Sequence, residues 1–381
     1  MSRKSNTQVV VGIGGADYVG ERNLTLLPFV HSHLRRSYDL IDGLNYLQRT
    51  VLRNSHATSF LNTFHYDLGI NRVSLLHMVN SVSASSTPWV STYSHYLPRW
   101  NQVSRYGIQL LARRSCRRLI AISTFAYTYQ EYVLDRFPEH RKAVLSKMCI
   151  VHPSQEPLIA SYDQKQLPRD VIECTFVGAD FFRKGGMEIL RAFDRLAAEQ
   201  YPVHLNLVSS LDAWDYASLA GGEDVRAAER LIERLGPAVS HHRNLPNAAV
   251  LKLFVNSHIG LLPTYDDIYG YSVLEAQAAG CPVITTDVCA LPEINDDSLG
   301  WLITVPKNSF GIAYRKRQKQ RQLLSSTIEE HLYTILKEAC GHPATIREKG
   351  TRALARITTE CRPEDRVDAL ERIYHEALSG S

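Results

Sequence analysis

Residues 260–287 read GLLPTYDDIYGYSVLEAQAAGCPVITTD, and their order decides the fold. An apolar run, Ile259–Leu262, leads into a loop. A short helical stretch follows, then Gly280-Cys281-Pro282 and a second apolar run, Pro282–Thr285. Strand, loop, helix and strand in that order predict a parallel βαβ unit, and ligands of open α/β sheets bind at the carboxyl ends of such strands. Working outward, the same alternation recurs. Further strands are expected at Cys174–Val177, His204–Val208 and Trp301–Ile303, and in the first half at Gln8–Ile13, Val73–Val79, Trp89–Tyr93 and Arg118–Ile122. Between them lie patterns such as Met187, Leu190, Phe193 and Leu196–Ala197, apolar at helical spacing. Two successive blocks of this kind predict two doubly wound α/β domains.

Polar chemistry gathers at two of the strand ends. Thr175-Phe-Val-Gly-Ala-Asp-Phe-Phe-Arg-Lys-Gly-Gly186 runs from a strand into an Arg183-Lys184 turn just ahead of a helix. Glycines allow close backbone approach, and a helix start offers N–H groups to anions. Arg183 can fork two hydrogen bonds onto phosphate oxygens, while Lys184 is a compact charge. A solvated basic turn has the same composition. In the segment that opens this section, Asp267 and Glu275 lie on either side of Gly270, Tyr271, Ser272 and Val273. A helix start there carries about half a positive charge, the environment that a departing diphosphate needs. Ser272-Val-Leu-Glu275 also matches a capping box, in which Glu275 would only satisfy the Ser272 backbone.

The 381 residues exceed one comfortable core and favour two domains. With 44% hydrophobic and 22% charged residues, the chain is expected to be soluble and globular. Val9–Ala16 is too short and too glycine-broken to span a membrane or act as a leader, so a cytoplasmic protein is expected. Seven cysteines without a CxxC pair argue against a disulfide framework or a zinc knuckle. A net charge of +4 with mixed signs does not suit a nucleic-acid binder.

Together the two strand-end segments resemble the retaining glycosyltransferase family 4, whose GT-B fold pairs two Rossmann-like domains across a cleft. The resemblance is close over 174–210 and 258–293; Ile120-Ala-Ile-Ser123 and the terminal helix are looser matches. It implies that Arg183 and Lys184 grip a nucleoside diphosphate. Glu275 would accept from ribose hydroxyls, and the Gly270–Val273 amides would meet phosphate. Asp267 stands where the family has a glutamate near the donor sugar. Ala179 replaces an arginine that often contacts phosphate, leaving that task to Arg183. No metal is expected at Asp266-Asp267, because the cationic turn and helix start neutralise the diphosphate. His241-His242-Arg243 sits where the family reads the base.

The first half is less explicit. Gly14 and Gly15 follow a strand, in a pattern that is not GxGxxG, and are expected to approach donor or acceptor. His95, after Trp89–Tyr93, resembles a loop histidine placed beside the donor sugar. Basic stretches Arg99–Arg118 and Arg315–Arg321 are candidates for loose contact with an anionic membrane or a lipid-linked acceptor. Domains are expected at 1–165 and 166–360, with 361–381 forming a helix that crosses back to the first.

The resemblance implies transfer of a hexose-like unit, with retention, from a nucleotide sugar to a hydroxyl acceptor in polysaccharide synthesis. No cofactor and no nucleic-acid partner are expected. Competing readings are a nucleotide-sugar 2-epimerase, a phosphorylase, and a catalytically silent nucleotide-binding subunit.

Overall fold

The computed structural model describes residues 9–14, 20–41, 64–99, 104–165, 171–213 and 215–379. The chain forms two compact units: Met1–Ser154 with Pro363–Ser381, and Gln155–Arg362.

In the first unit, strands β1 (Val9–Ile13), β2 (Ser32–Arg36), β4 (Leu75–Val79), β6 (Trp89–Tyr93), β7 (Cys116–Ala121) and β8 (Met148–Ile150) form one parallel sheet in the order β2-β1-β4-β6-β7-β8. A small pair, β3 (Phe64–His65) and β5 (Val82–Ser83), stands apart from it. Side chains alternate across a strand, so neighbours in sequence enter different cores. Leu76, Trp89 and Leu119 pack on one face with helix α1 (Arg105–Ala112). Leu75, Val90 and Ile120 pack on the other. That second face is covered by the terminal helix, Pro363–Ser379, through Val367, Leu370, Ile373, Tyr374 and Ala377.

Polar contacts fix the terminal helix as firmly as apolar ones. The buried Arg366 guanidinium donates to the Val151 carbonyl at 2.9 Å and to Asn23 Oδ1 at 2.9 Å. Glu371 accepts from the Val30 and His31 amides at 3.1 and 2.7 Å. His77 on β4 is fully buried, bonded to the Tyr374 hydroxyl at 2.7 Å and to Thr92 Oγ1 at 2.8 Å. Burial, helped by Arg366, pushes its pKa down to about 3.

The second unit repeats the plan. Strands β9 (Ile172–Val177), β10 (Val203–Val208), β11 (Val239–His242), β12 (Ile259–Leu262), β13 (Val283–Thr286) and β14 (Trp301–Ile303) lie parallel in the order β11-β10-β9-β12-β13-β14. The expected boundary at 165/166 moves to 154/155. Residues 155–165 are tied to the second unit: the Leu158 amide donates to Ala278 at 2.8 Å, and Lys165 Nζ donates to the Phe254 and Ala279 carbonyls at 2.9 and 2.6 Å. At the other end, the expected break at 360/361 lies at 362/363.

Candidate functional site

Three glycines shape the end of β9 and the loop after β12. A Cβ on Gly178 would lie 2.5 Å from Lys184 Cδ, so the lysine stem lies over the strand end. Gly185 has φ +82°, and a Cβ there would fall 2.1 Å from the Pro263 carbonyl oxygen. The two loops therefore touch backbone to backbone, a contact that only glycine permits. Their register is fixed by the Arg183 carbonyl, which accepts from the Tyr265 amide at 2.8 Å and from Thr264 Oγ1 at 3.1 Å.

This contact brings Lys184 to Asp267. Lys184 Nζ stands 3.5 Å from Asp267 Oδ2, with both side chains largely buried. Asp267 Oδ1 accepts from the Gly270 amide at 3.0 Å and from Tyr269 at 3.3 Å. Gly270, with φ +85°, is the N-cap of the helix Tyr271–Ala278 and has no side-chain cap bond. The capping box is thereby excluded: Ser272 is the second helical residue, not the cap, and Glu275 lies a turn in, only 4% exposed. Of the four amides expected to meet phosphate, that of Gly270 is engaged by Asp267 and that of Val273 by the Gly270 carbonyl at 2.9 Å. Tyr271 and Ser272 are half-buried, whereas the Val273 side chain is core.

Arg183 is engaged by neighbouring loops. Its guanidinium is held by Asp180 and by the Asp266 carbonyl, and stacks 5.8 Å from the Tyr216 ring. Asp266 forms a knot that sequence reasoning missed. Its carboxylate accepts from Tyr216 at 2.7 Å and from Arg315 at 2.7 Å, with Cys289 Sγ at 3.4 Å. Burial, reinforced by Asp266, raises the Cys289 thiol well above its usual range. These partners come from four loops, so only the doubled aspartate hinted at the knot. Arg315, read as the start of a membrane-facing basic run, is instead folded into this pair. Asp266 and Asp267 thus have separate cationic partners. Among the described residues no group of three or more His, Cys, Asp or Glu side chains could hold a metal ion.

The other expected residues are placed as follows. His241 Nε2 bonds the Ser209 carbonyl at 2.9 Å, closing the β10 and β11 ends together. His95, in the first unit, lies in an aromatic cluster, 5.5 Å from Phe125, 4.3 Å from Tyr129 and 4.8 Å from Tyr96. Gly14 is described, and a Cβ there would meet nothing within 4 Å among the described residues; Gly15 lies outside them. Ile108, Leu110 and Leu111, interleaved in the first basic stretch, are fully buried, and Arg105 pairs with Glu139 at 2.7 Å. Among the described residues no helix is long and apolar enough to cross a membrane.

A glycosyltransferase from Rickettsia africae superposes with a TM-score of 0.61, covering 98% of this chain and 100% of its own at 13% identity. The chain has the GT-B fold. HepE from Anabaena, solved with UDP-glucose, shares that fold at a TM-score of 0.59 and 13% identity, over 98% of this chain and 100% of its own. Within the GT-B chain, residues 161–315 match the family model described as glycosyl transferases group 1, a span that holds Lys184, Asp267 and Glu275. Two curated relatives are similar. D-inositol 3-phosphate glycosyltransferase from Streptomyces avermitilis is 27% identical over 180 residues, 44% of this chain and 38% of that one. Lipopolysaccharide glucosyltransferase WaaG from Escherichia coli is 33% identical over 131 residues, 34% and 32% respectively. The matched part of this chain therefore spans about a third of the length of each.

Proposed function

We propose that this chain is a retaining, metal-independent glycosyltransferase that moves a hexose-like unit from a nucleoside-diphosphate sugar to a hydroxyl acceptor. The observation carrying this reading is the meeting of Lys184, Asp267 and the Gly270 helix start at the carboxyl ends of β9 and β12, with Glu275 buried one turn into that helix. The group 1 match over the same residues supports it. The structures of Anabaena HepE in complex with UDP and with UDP-glucose, which share this fold, favour a nucleotide-sugar donor.

In this reading Lys184 and the helix start hold the diphosphate, and no metal or other cofactor is required. Glu275 accepts from the ribose hydroxyls, while Asp267 and His95 contact the sugar. As the bond from anomeric carbon to phosphate oxygen breaks, the leaving oxygen takes the proton of the incoming hydroxyl. The new bond forms on the same face, giving retention. Positive groups aimed at the leaving diphosphate stabilise the charge that develops there. The setting is cytoplasmic glycan synthesis, with a glycan or lipid-linked acceptor. Along Arg99–Arg118 a membrane would be met chiefly by charge, because Ile108, Leu110 and Leu111 are buried.

The test is a thermal-shift screen with uridine, guanosine and adenosine diphosphates and their sugars, followed by donor hydrolysis and transfer assays. One nucleotide should raise the melting midpoint, and Lys184→Ala and Glu275→Ala should each abolish that rise while the fold persists. Parent-like nucleotide binding by both variants would remove the site assignment. Isomerised donor appearing without acceptor would move the reading to an epimerase.

A further inference from the structure

The groups assigned to the donor's diphosphate are already engaged by an anion of the chain's own. Asp267 presents one carboxylate oxygen to the Gly270 amide at 3.0 Å and the other to Lys184 Nζ at 3.5 Å. We propose that Asp267 is an internal stand-in for the donor's phosphate, holding Lys184 and the Gly270 amide until a nucleoside diphosphate exchanges with it. The inference rests on the reading of this site as a nucleotide-sugar pocket.

Side-chain length supports it. The Asp267 carboxylate reaches an amide three residues ahead and a lysine from the neighbouring loop at the same time. An ammonium whose side chain is only 20% exposed would be costly to leave without a counter-charge. Asp267 removes that cost in the empty site. Donor binding then becomes an exchange of one anion for another, in which the released carboxylate is available to the sugar. When product leaves, the carboxylate returns to Lys184 and opposes rebinding. The neighbouring Asp266 cannot do this, because its carboxylate is committed to Arg315 and Tyr216.

Calorimetric titration with the tightest-binding of the three nucleoside diphosphates tests the proposal. Asp267→Asn keeps an oxygen for the Gly270 amide but gives up the charge facing Lys184. Its affinity for the diphosphate should rise about tenfold, equivalent to about 1.4 kcal/mol of lost competition. Affinity for the unphosphorylated nucleoside should not change. Asp180→Asn removes the same charge beside Arg183, 51% exposed, and should change diphosphate affinity less than about twofold. Equal or weaker diphosphate binding by Asp267→Asn, or an equal gain in both variants, overturns the stand-in role. If Asp267→Asn melts before the parent, Asp267→Ser, whose hydroxyl can also accept from Gly270, is read by the same criteria. A parent that binds none of the three diphosphates defeats the functional reading instead.

Discussion

The two units have the same sheet plan, yet their carboxyl edges are built differently. In the second unit, loops from distant strands are locked together. Gly185 sits against the Pro263 carbonyl, Asp267 bonds Gly270, and Asp266 gathers Tyr216 and Arg315. In the first unit, a Cβ on Gly14 would meet nothing within 4 Å among the described residues, and His95 stacks among aromatic rings. One edge is tied together by bonds between its own loops. The other spends its polar capacity under the sheet, on the buried His77, Arg366 and Glu371 that retain the terminal helix.

Acid should separate the units most strongly. His77 is held neutral in the fold, with a pKa of about 3, whereas an unfolded chain protonates it near 6.5. The unfolded state therefore binds more protons below about 6.5, and the first unit loses stability as pH falls toward about 3, by up to a few kcal/mol. Glu188 in the second unit has the opposite sign. Burial raises its carboxyl, so acid relieves it. Amide exchange between pH 6 and 4 should accelerate in the first unit before the second, and the reverse order would break the contrast.

Gly185→Ala should cost about 3 kcal/mol, because its Cβ would strike the Pro263 carbonyl at positive φ. Urea unfolding measures it, and a loss under about 1 kcal/mol would mean that the two loops can part. His95→Phe keeps the ring stack, so its melting midpoint should hold while turnover falls about tenfold, within what a positioned histidine supplies. Unchanged turnover would assign His95 to packing. Gly14→Ala should be smallest, within about 0.5 kcal/mol by the same unfolding assay, since the added methyl meets nothing within 4 Å among the described residues.

Some parts of this pattern were legible before any coordinates. Trp89–Tyr93, Ile259–Leu262 and Trp301–Ile303 match their strands residue for residue. Buried strands need continuous apolar runs, which a sequence displays. The strands missed in the two large sheets were Ser32–Arg36, Met148–Ile150 and Val239–His242, each at a sheet edge and only partly buried, and the two-residue strands Phe64–His65 and Val82–Ser83 were missed as well. An edge strand can be polar or short because one side faces no neighbouring strand, so it leaves little trace in hydrophobic pattern. Lys184, Asp267 and Glu275 stood out in the sequence because they flank turns and a helix start marked by Gly185 and Gly270, and the structure pairs the first two. Arg183 shows a local ambiguity: a guanidinium before a helix can serve a ligand or tie its own loops, and here it bonds Asp180 and the Asp266 carbonyl.

By itself the sequence determined the two parallel α/β layers and the turn that carries Lys184, since both follow from local spacing and glycine placement. Tertiary structure alone decided which charges meet. Asp266 joined Arg315, Asp267 took Lys184, and the terminal helix closed over His77. The physical reason is that ion pairs and buried hydrogen bonds depend on distances between loops remote in sequence, and those distances exist only once both sheets have formed.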